Sequence, residues 1–258
     1  AADDLADRLG VITRRFPQAL DWASPGPHAA EVLATSGLCD ALIRAAPVPA
    51  AIGFGPWQSL IVDAATVPLK NQSLDLITSL LALQTVDDLP GTLVQLRRAL
   101  KPDGLLIGAL LGGESLHELR AVMMEAESRC EGGMSPRIAP FAGVRDLGGL
   151  LQRAGLALPV TDSDLVTVRY NSLFDLVRDL RLMAASNPLL ARRKQGLRQE
   201  TIIEAARLYT ERFSDPDGRI RASFELIWFS GWAPHPDQQK PLKPGSAQMR
   251  LSDALKTK

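Results

Sequence analysis

The sequence predicts an α/β fold: a mostly parallel sheet with helices on both faces and a helical cap inserted before the last strand. Three observations carry this. Strand-like and helix-like segments alternate over the first 156 residues, the pattern of parallel strands joined by crossover helices. Two stretches, LDLITSLLAL (74–83) and LLIGALLG (105–112), are almost wholly apolar, as strands covered on both faces must be. The segment IRASFELIWFSGWA (220–233) instead alternates at period two, with Ile220, Ala222, Phe224, Leu226 and Trp228 on one face. It reads as a long strand closing the sheet.

The elements follow in order. Residues 3–15 predict an amphipathic helix with Leu5, Leu9 and Ile12 on one face. ALDWA (19–23) is a short strand, and 28–35 a helix starting near Pro27, a suitable first-turn residue. CDALIRAA (39–46) is a second strand, followed by the Pro-rich connector PVPAAIGFGP, and SLIVDAA (59–65) is a third. After the strand at 74–83, a helix over 87–100 places Leu89, Leu93, Leu96 and Leu100 at helical spacing. KPDG (101–104) is a turn before the strand at 105–112. A helix over 115–130 shares Leu116, Leu119, Met123 and Ala126 on a face, and another over 144–156 ends at Gly155, a C-cap. Residues 157–170 are strand material. Helices at 172–187 and 201–213 form the cap, the second with Ile202, Ala206, Tyr209 and Phe213 on one face. The organisation is thus an α/β domain over 1–170 and 219–233, a cap over 171–218 and a polar, Pro-rich tail over 234–258.

Composition narrows the function classes. The 29 basic and 29 acidic residues cancel and form no basic stripe, which argues against nucleic acid. Cys39 and Cys130 are distant and no CxxC occurs. His28, His117 and His235 are scattered, so no metal site is expected. The two thiols read as reduced, in a cytosol-like compartment. No apolar run approaches the roughly 20 residues a spanning helix needs. The acidic start AADDLADRLG is not a secretory signal.

KPDG before a buried strand, with an LD-rich strand some thirty residues earlier, resembles the class I S-adenosylmethionine-dependent methyltransferase fold. FPQALDW, LDLITSLLALQTVDDLPGTL, LRRALKPDGLLIGALLGGESLHELR, EGGMSPRIAPFAGVRDLGGLLQRAG and DLRLMAASN sharpen this. Together they look like the group containing the fifth mitochondrial complex I assembly factor and its alphaproteobacterial relatives. The malonyl-carrier-protein methyltransferase of biotin synthesis is a more distant cousin. The resemblance implies a Rossmann-like, seven-stranded sheet binding S-adenosylmethionine. It also implies a partner among respiratory complex I subunits or assembly intermediates, and a mitochondrial matrix or bacterial cytoplasmic setting. The mitochondrial member is associated with arginine hydroxylation, so the group alone does not fix the reaction.

Four elements hold the cofactor in such folds, and this chain departs from three. The glycine loop after the first strand reads Leu20, Asp21, Trp22, Ala23, Ser24, Pro25, Gly26, Pro27. Ala23, Pro25 and Pro27 stand where glycines let the backbone approach the cofactor. Ala46 stands where an acid ending the second strand would accept from both ribose hydroxyls. Asp63, after the third strand, fits the polar position near the adenine amine, and equally fits a turn cap. Gln84-Thr85 replaces the His-Trp pair after the fourth strand. Asp21, Ala23, Gly26, Asp63 and Gln84 are therefore the candidate cofactor residues.

Toward the substrate side, Glu114 starts a helix and suits either a substrate or the helix dipole. Arg137, central in the loop EGGMSPRIAPF (131–141), is the candidate for an anionic ligand or partner. Asn187 matches a position in the cap. No catalytic residue is assigned. Two readings stand. One is a methyltransferase-like protein of the assembly-factor type with a degenerate cofactor site, binding or acting on a protein partner. The other is an active S-adenosylmethionine-dependent methyltransferase, or arginine hydroxylase, with an atypical cofactor loop.

Overall fold

A computed structural model describes residues 1–190 and 192–238. Most of the polar tail expected over 234–258 lies outside the described residues.

Seven strands form one sheet in the order β3-β2-β1-β4-β5-β7-β6. They are β1 (Gln18–Trp22), β2 (Ala41–Ala46), β3 (Gln58–Ile61), β4 (Leu74–Leu80), β5 (Leu100–Leu111), β6 (Ala157–Tyr170) and β7 (Ile220–Trp232). Strands β1 to β5 are mutually parallel. Strand β7 runs antiparallel to both β5 and β6. This is the Rossmann-like class I methyltransferase arrangement. Strand order reverses between β1 and β4, so the ligand crevice of such a sheet lies at their carboxyl ends.

The helices are α1 (Ala2–Gly10), α2 (His28–Thr35), α3 (Pro49–Ile52), α4 (Leu89–Ala99), α5 (His117–Glu131), α6 (Val144–Arg153), α7 (Leu173–Leu182) and α8 (Gln199–Phe213). One core lies on the α4 and α6 face of the sheet and takes Leu20, Trp22, Ile77, Leu106 and Phe229. A second, under α1 and α2, takes Ala19, Leu76, Leu105 and Trp228. Neighbouring residues of β4, such as Leu76 and Ile77, enter opposite cores. That is why the strand reads as an unbroken apolar run rather than an alternating one.

The cap helices α7 and α8 pack on α5 around a third core of Leu119, Val122, Leu176, Leu208 and Tyr209. One face of β7 serves two cores: Leu226 and Trp228 join the second, and Ile220 and Ala222 the third. Local chemistry sets several ends. Asp88 accepts from the Gly91 amide at 2.9 Å and caps α4, while Ser172 accepts from the Asp175 amide at 3.2 Å and caps α7.

Several boundaries differ from the sequence reading. The first helix stops at Gly10 rather than running to residue 15. KPDG is an irregular stretch inside β5, with Asp103 at φ 62° and a register shift opposite Leu74 and Leu76, not a free turn. The third strand ends at Ile61, which leaves Asp63 in the following loop. The connector after β2 holds a helical turn, α3, begun by Pro49. Among the described residues no helix is long and apolar enough to cross a membrane.

Candidate functional site

The carboxyl ends of β1 and β2 meet in a buried polar knot. Asp21 and Arg44 pair with both side chains fully buried. Arg44 Nε donates to the Ile52 carbonyl at 2.7 Å, and its terminal nitrogens donate to the carbonyls of Ser24 at 3.0 Å and Ala51. Ser24 Oγ donates to Asp21 and accepts from the Leu80 amide at 3.0 Å, tying the turn after β1 to the end of β4. Burial pushes the Asp21 carboxyl up to about 6, against the pull of the Ser24 hydrogen bond and the Arg44 charge.

Arg44 carries no role in the sequence reading, yet its signal is visible. A lone arginine inside ALIRAA, in a strand with neighbours on both edges, has no route to water and must find an acid. Period-two pairing supplies it, because Asp21 lies directly opposite Arg44 in the parallel ladder.

The remaining loop positions close over this knot. Ala23 adopts φ 58° and donates to the Ala45 carbonyl at 2.9 Å. It keeps the left-handed backbone that glycine favours, at a cost of order 1 kcal/mol. Gly26 and Pro27 are half-buried, and Pro25 is exposed. Gly53, just after α3, has φ 69°, and a Cβ there would lie 2.9 Å from Pro27 Cβ. The loop after β2 thus rests on the loop after β1. Ala46 is fully buried.

Asp63 is exposed and accepts from the Ala65 amide at 2.9 Å, capping its own turn. Gln84 sits in a short 3-10 turn after β4, where its amide nitrogen donates to the Leu81 carbonyl at 2.7 Å. Its Oε1 is enclosed without a donor among the described residues; Trp22 Nε1, a donor, and Ser79 Oγ in the sheet are likewise enclosed without a partner. Of the predicted cofactor residues, Asp21 alone belongs to the Arg44 knot; Ala23 bonds Ala45 beside it, and Gly26 lies further along the same loop. Gln84 lies at the end of β4, and Asp63 points to its own backbone.

The substrate-side residues gather elsewhere, around α5. The Glu114 amide donates to the Glu225 carboxylate at 2.9 Å, and the exposed Glu114 side chain stays free among the described residues. Arg137 does not present its charge outward as the sequence reading expects. It forms an ion pair with Glu127, which is buried on α5, and Nε donates at 2.7 Å. Glu127 also accepts from the Ser135 amide at 2.8 Å. Asn187 Nδ2 donates to the Pro136 carbonyl at 2.7 Å and its Oδ1 accepts from the Leu189 amide, so it ties the cap to the same loop. A cavity of about 380 Å³ opens between this loop and α5. Among the described residues no group of His, Cys, Asp and Glu is placed to hold a metal ion.

A family described as a methyltransferase domain matches residues 39–108. The arginine-hydroxylase NDUFAF5, mitochondrial, of Danio rerio is 37% identical over 263 residues, taking in 98% of this chain and 79% of that protein. The malonyl-[acyl-carrier protein] O-methyltransferase of Xylella fastidiosa (strain M23) is 35% identical over 181 residues, covering 70% of this chain and 59% of that protein. Among solved structures, the YcgJ protein of Bacillus subtilis aligns at a TM-score of 0.62 over 91% of this chain and all of that chain, at 11% identity. That likeness shows the fold.

Proposed function

The chain belongs to the family of the arginine-hydroxylase NDUFAF5, and on that premise we propose a methyltransferase-fold protein of the assembly-factor type. In this reading its S-adenosylmethionine site is degenerate and it binds or acts on a protein partner. The observation that carries it is the buried Asp21–Arg44 pair under the loop after β2. Arg44 holds the carbonyls of Ala51 and Ile52 down, and Gly53 rests on Pro27. The start of the loop after β2 is thus held against the end of β1.

The residues there do not fit the cofactor in its usual pose. Ala46 offers no acceptor for ribose hydroxyls. Pro25 and Pro27 have no N–H to offer, and Gln84-Thr85 supplies no aromatic wall. The core strands remain apolar while the crevice positions change, which fits a retained scaffold with an altered role.

Calorimetry tests the reading. Neither S-adenosylmethionine nor S-adenosylhomocysteine should give heat at concentrations that saturate ordinary methyltransferases, and micromolar binding of either overturns it. The partner is, by resemblance, a respiratory complex I subunit or assembly intermediate. NDUFAF5 relatives are named mitochondrial, which supports a matrix setting or its bacterial cytoplasmic equivalent.

One observation favours the second reading, an active methyltransferase or arginine hydroxylase with an atypical loop. Gln84 Oε1 is buried at the end of β4 without a donor. A buried unpaired acceptor costs about 1–3 kcal/mol, and a ligand N–H would relieve that. The same calorimetry decides between the two.

A further inference from the structure

Two of the five methionines, Met123 and Met124, lie on α5; Met134 lies in the loop after it and Met183 at the end of α7. Met123 and Met124 line the 380 Å³ cavity together with Ile138 and Phe141. Met134 and Met183 are exposed, as are Leu182 and Leu190, the last at 95%. The segments are joined directly. Asn187 bonds Pro136, and the Arg193 amide donates to Ser135 Oγ at 3.1 Å; Pro136 and Ser135 both line the cavity. Exposed apolar side chains rimming a cavity mark an interaction site, and methionine repacks against varied apolar partners.

The charge of the cap segment beside the cavity is one-sided. Between residues 178 and 198 lie Arg178, Arg181, Arg192, Arg193, Lys194 and Arg198 against the single acid Asp179, in a chain whose net charge is zero. Arg178 pairs with Asp175, and Arg193 with Glu131. Arg181, Arg192, Lys194 and Arg198 have no carboxylate partner among the described residues, and all four are exposed. On the cavity wall, Arg120 donates to the carbonyls of Gly113 and Ser115 at 3.2–3.3 Å and meets no carboxylate among the described residues.

We propose that the α5–cap surface docks an acidic amphipathic segment of a partner protein, which lays its apolar side chains into the methionine-lined cavity and its carboxylates against the cap arginines. A bilayer would meet a convex or flat face. Here exposed Met124 joins Met123, Ile138 and Phe141 around a concavity of about 380 Å³, with Leu190 on the segment that Asn187 and Arg193 tie to its loop, and that favours a peptide. The basic rim sets the sign of the partner and speeds encounter. This rests on the reading of a protein-binding role, and it names the surface and the partner's chemistry.

The test uses the full chain and three fluorescent helical peptides: one with a leucine stripe and a glutamate face, one with the same stripe and a lysine face, and one with glutamates but serine in place of leucine. Anisotropy should show saturable binding of the first, at least tenfold tighter than either other. Leu190→Glu and Met124→Glu, both at exposed side chains, should each weaken it about tenfold or more, while Phe54→Glu in the β2–β3 loop leaves it unchanged. Equal affinity for all three peptides overturns the proposal. So does tighter binding to phosphatidylglycerol-containing vesicles than to the acidic peptide, or no binding at millimolar peptide. Absent peptide binding with silent cofactor calorimetry removes only this surface assignment. Micromolar cofactor binding removes the degenerate-site reading whatever the peptides do.

Discussion

Arg44 on β2 and Asp21 on β1 pair across the parallel ladder with no exposed surface on either side chain. Taking both charges out of water costs several kcal/mol per ion, and only good geometry with further hydrogen bonds offsets it. Arg44 meets that condition through the carbonyls of Ser24, Ala51 and Ile52. The pair anchors the loop after β2 at Ala51 and Ile52, although most of that loop stays exposed.

Arg44→Met should therefore destabilise the fold by about 3–5 kcal/mol near neutral pH, because Asp21 is left uncompensated. Its pH dependence follows from the Asp21 carboxyl, which burial pushes up to about 6. Folded Asp21 holds its proton more tightly than the unfolded chain does. Its contribution to stability is thus greatest in acid and falls as pH rises toward 6. Removing Arg44 takes away an influence that lowers this value and extends the loss to higher pH. Urea denaturation should show the variant's deficit smaller by about 1 kcal/mol at about pH 5 than at about pH 7. Adding Asp21→Asn should recover much of the loss. A deficit equal at both pH values would mean that Arg44 acts through its carbonyl bonds alone.

Ala46→Asp restores the acid that the family pattern places at the end of β2. Ala46 is fully buried here, so the new carboxylate would enter the interior without a partner and cost on the order of 3 kcal/mol or more. Thermal denaturation should show a lower midpoint, with no recovery on adding S-adenosylmethionine. A midpoint that climbs with cofactor would show that the loop after β2 still opens to admit it.

Much of the fold is legible in the sequence because its signals are local and repeated. The apolar runs of β4 and β5 mark strands with two covered faces, and the period-two pattern of β7 marks a strand between unequal environments. The helix starting at His28 lies where Pro27 suggests. The site is less legible, since its bonds join residues far apart in sequence. Nothing local to Asp21 announces Arg44, 23 residues away. Arg137 in a Gly- and Pro-rich loop looks free until α5 brings Glu127 beneath it. KPDG reads as a turn because Asp103 needs a positive φ, yet β5 absorbs that residue as an irregularity in its pairing.

The chain has two tyrosines, Tyr170 and Tyr209, which makes phenol titration unusually clean. Burial, and then the hydrogen bond to Asp179 and its charge, push Tyr170 up to about 12. Tyr209 is pushed up further, by burial first and then by the negative charges of Glu118 and Tyr170. Both phenols should stay protonated in the folded protein at about pH 10, where a free tyrosine is half ionised. The unfolded chain releases these protons more easily, so stability should fall as pH rises above about 10. Near-ultraviolet absorbance should show no tyrosinate at that pH until urea is added. Appreciable tyrosinate in the folded state would place one of the two rings in water.

Arg137 and Glu127 decide whether the loop over α5 is a fixed wall or a mobile flap. Glu127 is buried and accepts both from Arg137 and from the Ser135 amide, so a single carboxylate fastens the loop at two points. Arg137→Gln should leave this carboxylate short of its cation and cost about 3 kcal/mol. The loss should concentrate in the loop, with faster hydrogen exchange at the Ser135 amide than at the amides of α6. Arg137→Gln combined with Glu127→Gln should recover part of that stability, since no buried charge then remains unpaired. An arginine whose role were to meet an anionic partner would behave in the opposite way. Its loss would leave stability and exchange untouched and weaken only the binding of acidic peptides. Unchanged exchange at Ser135 in the single variant would return Arg137 to the partner-facing role its sequence context suggests.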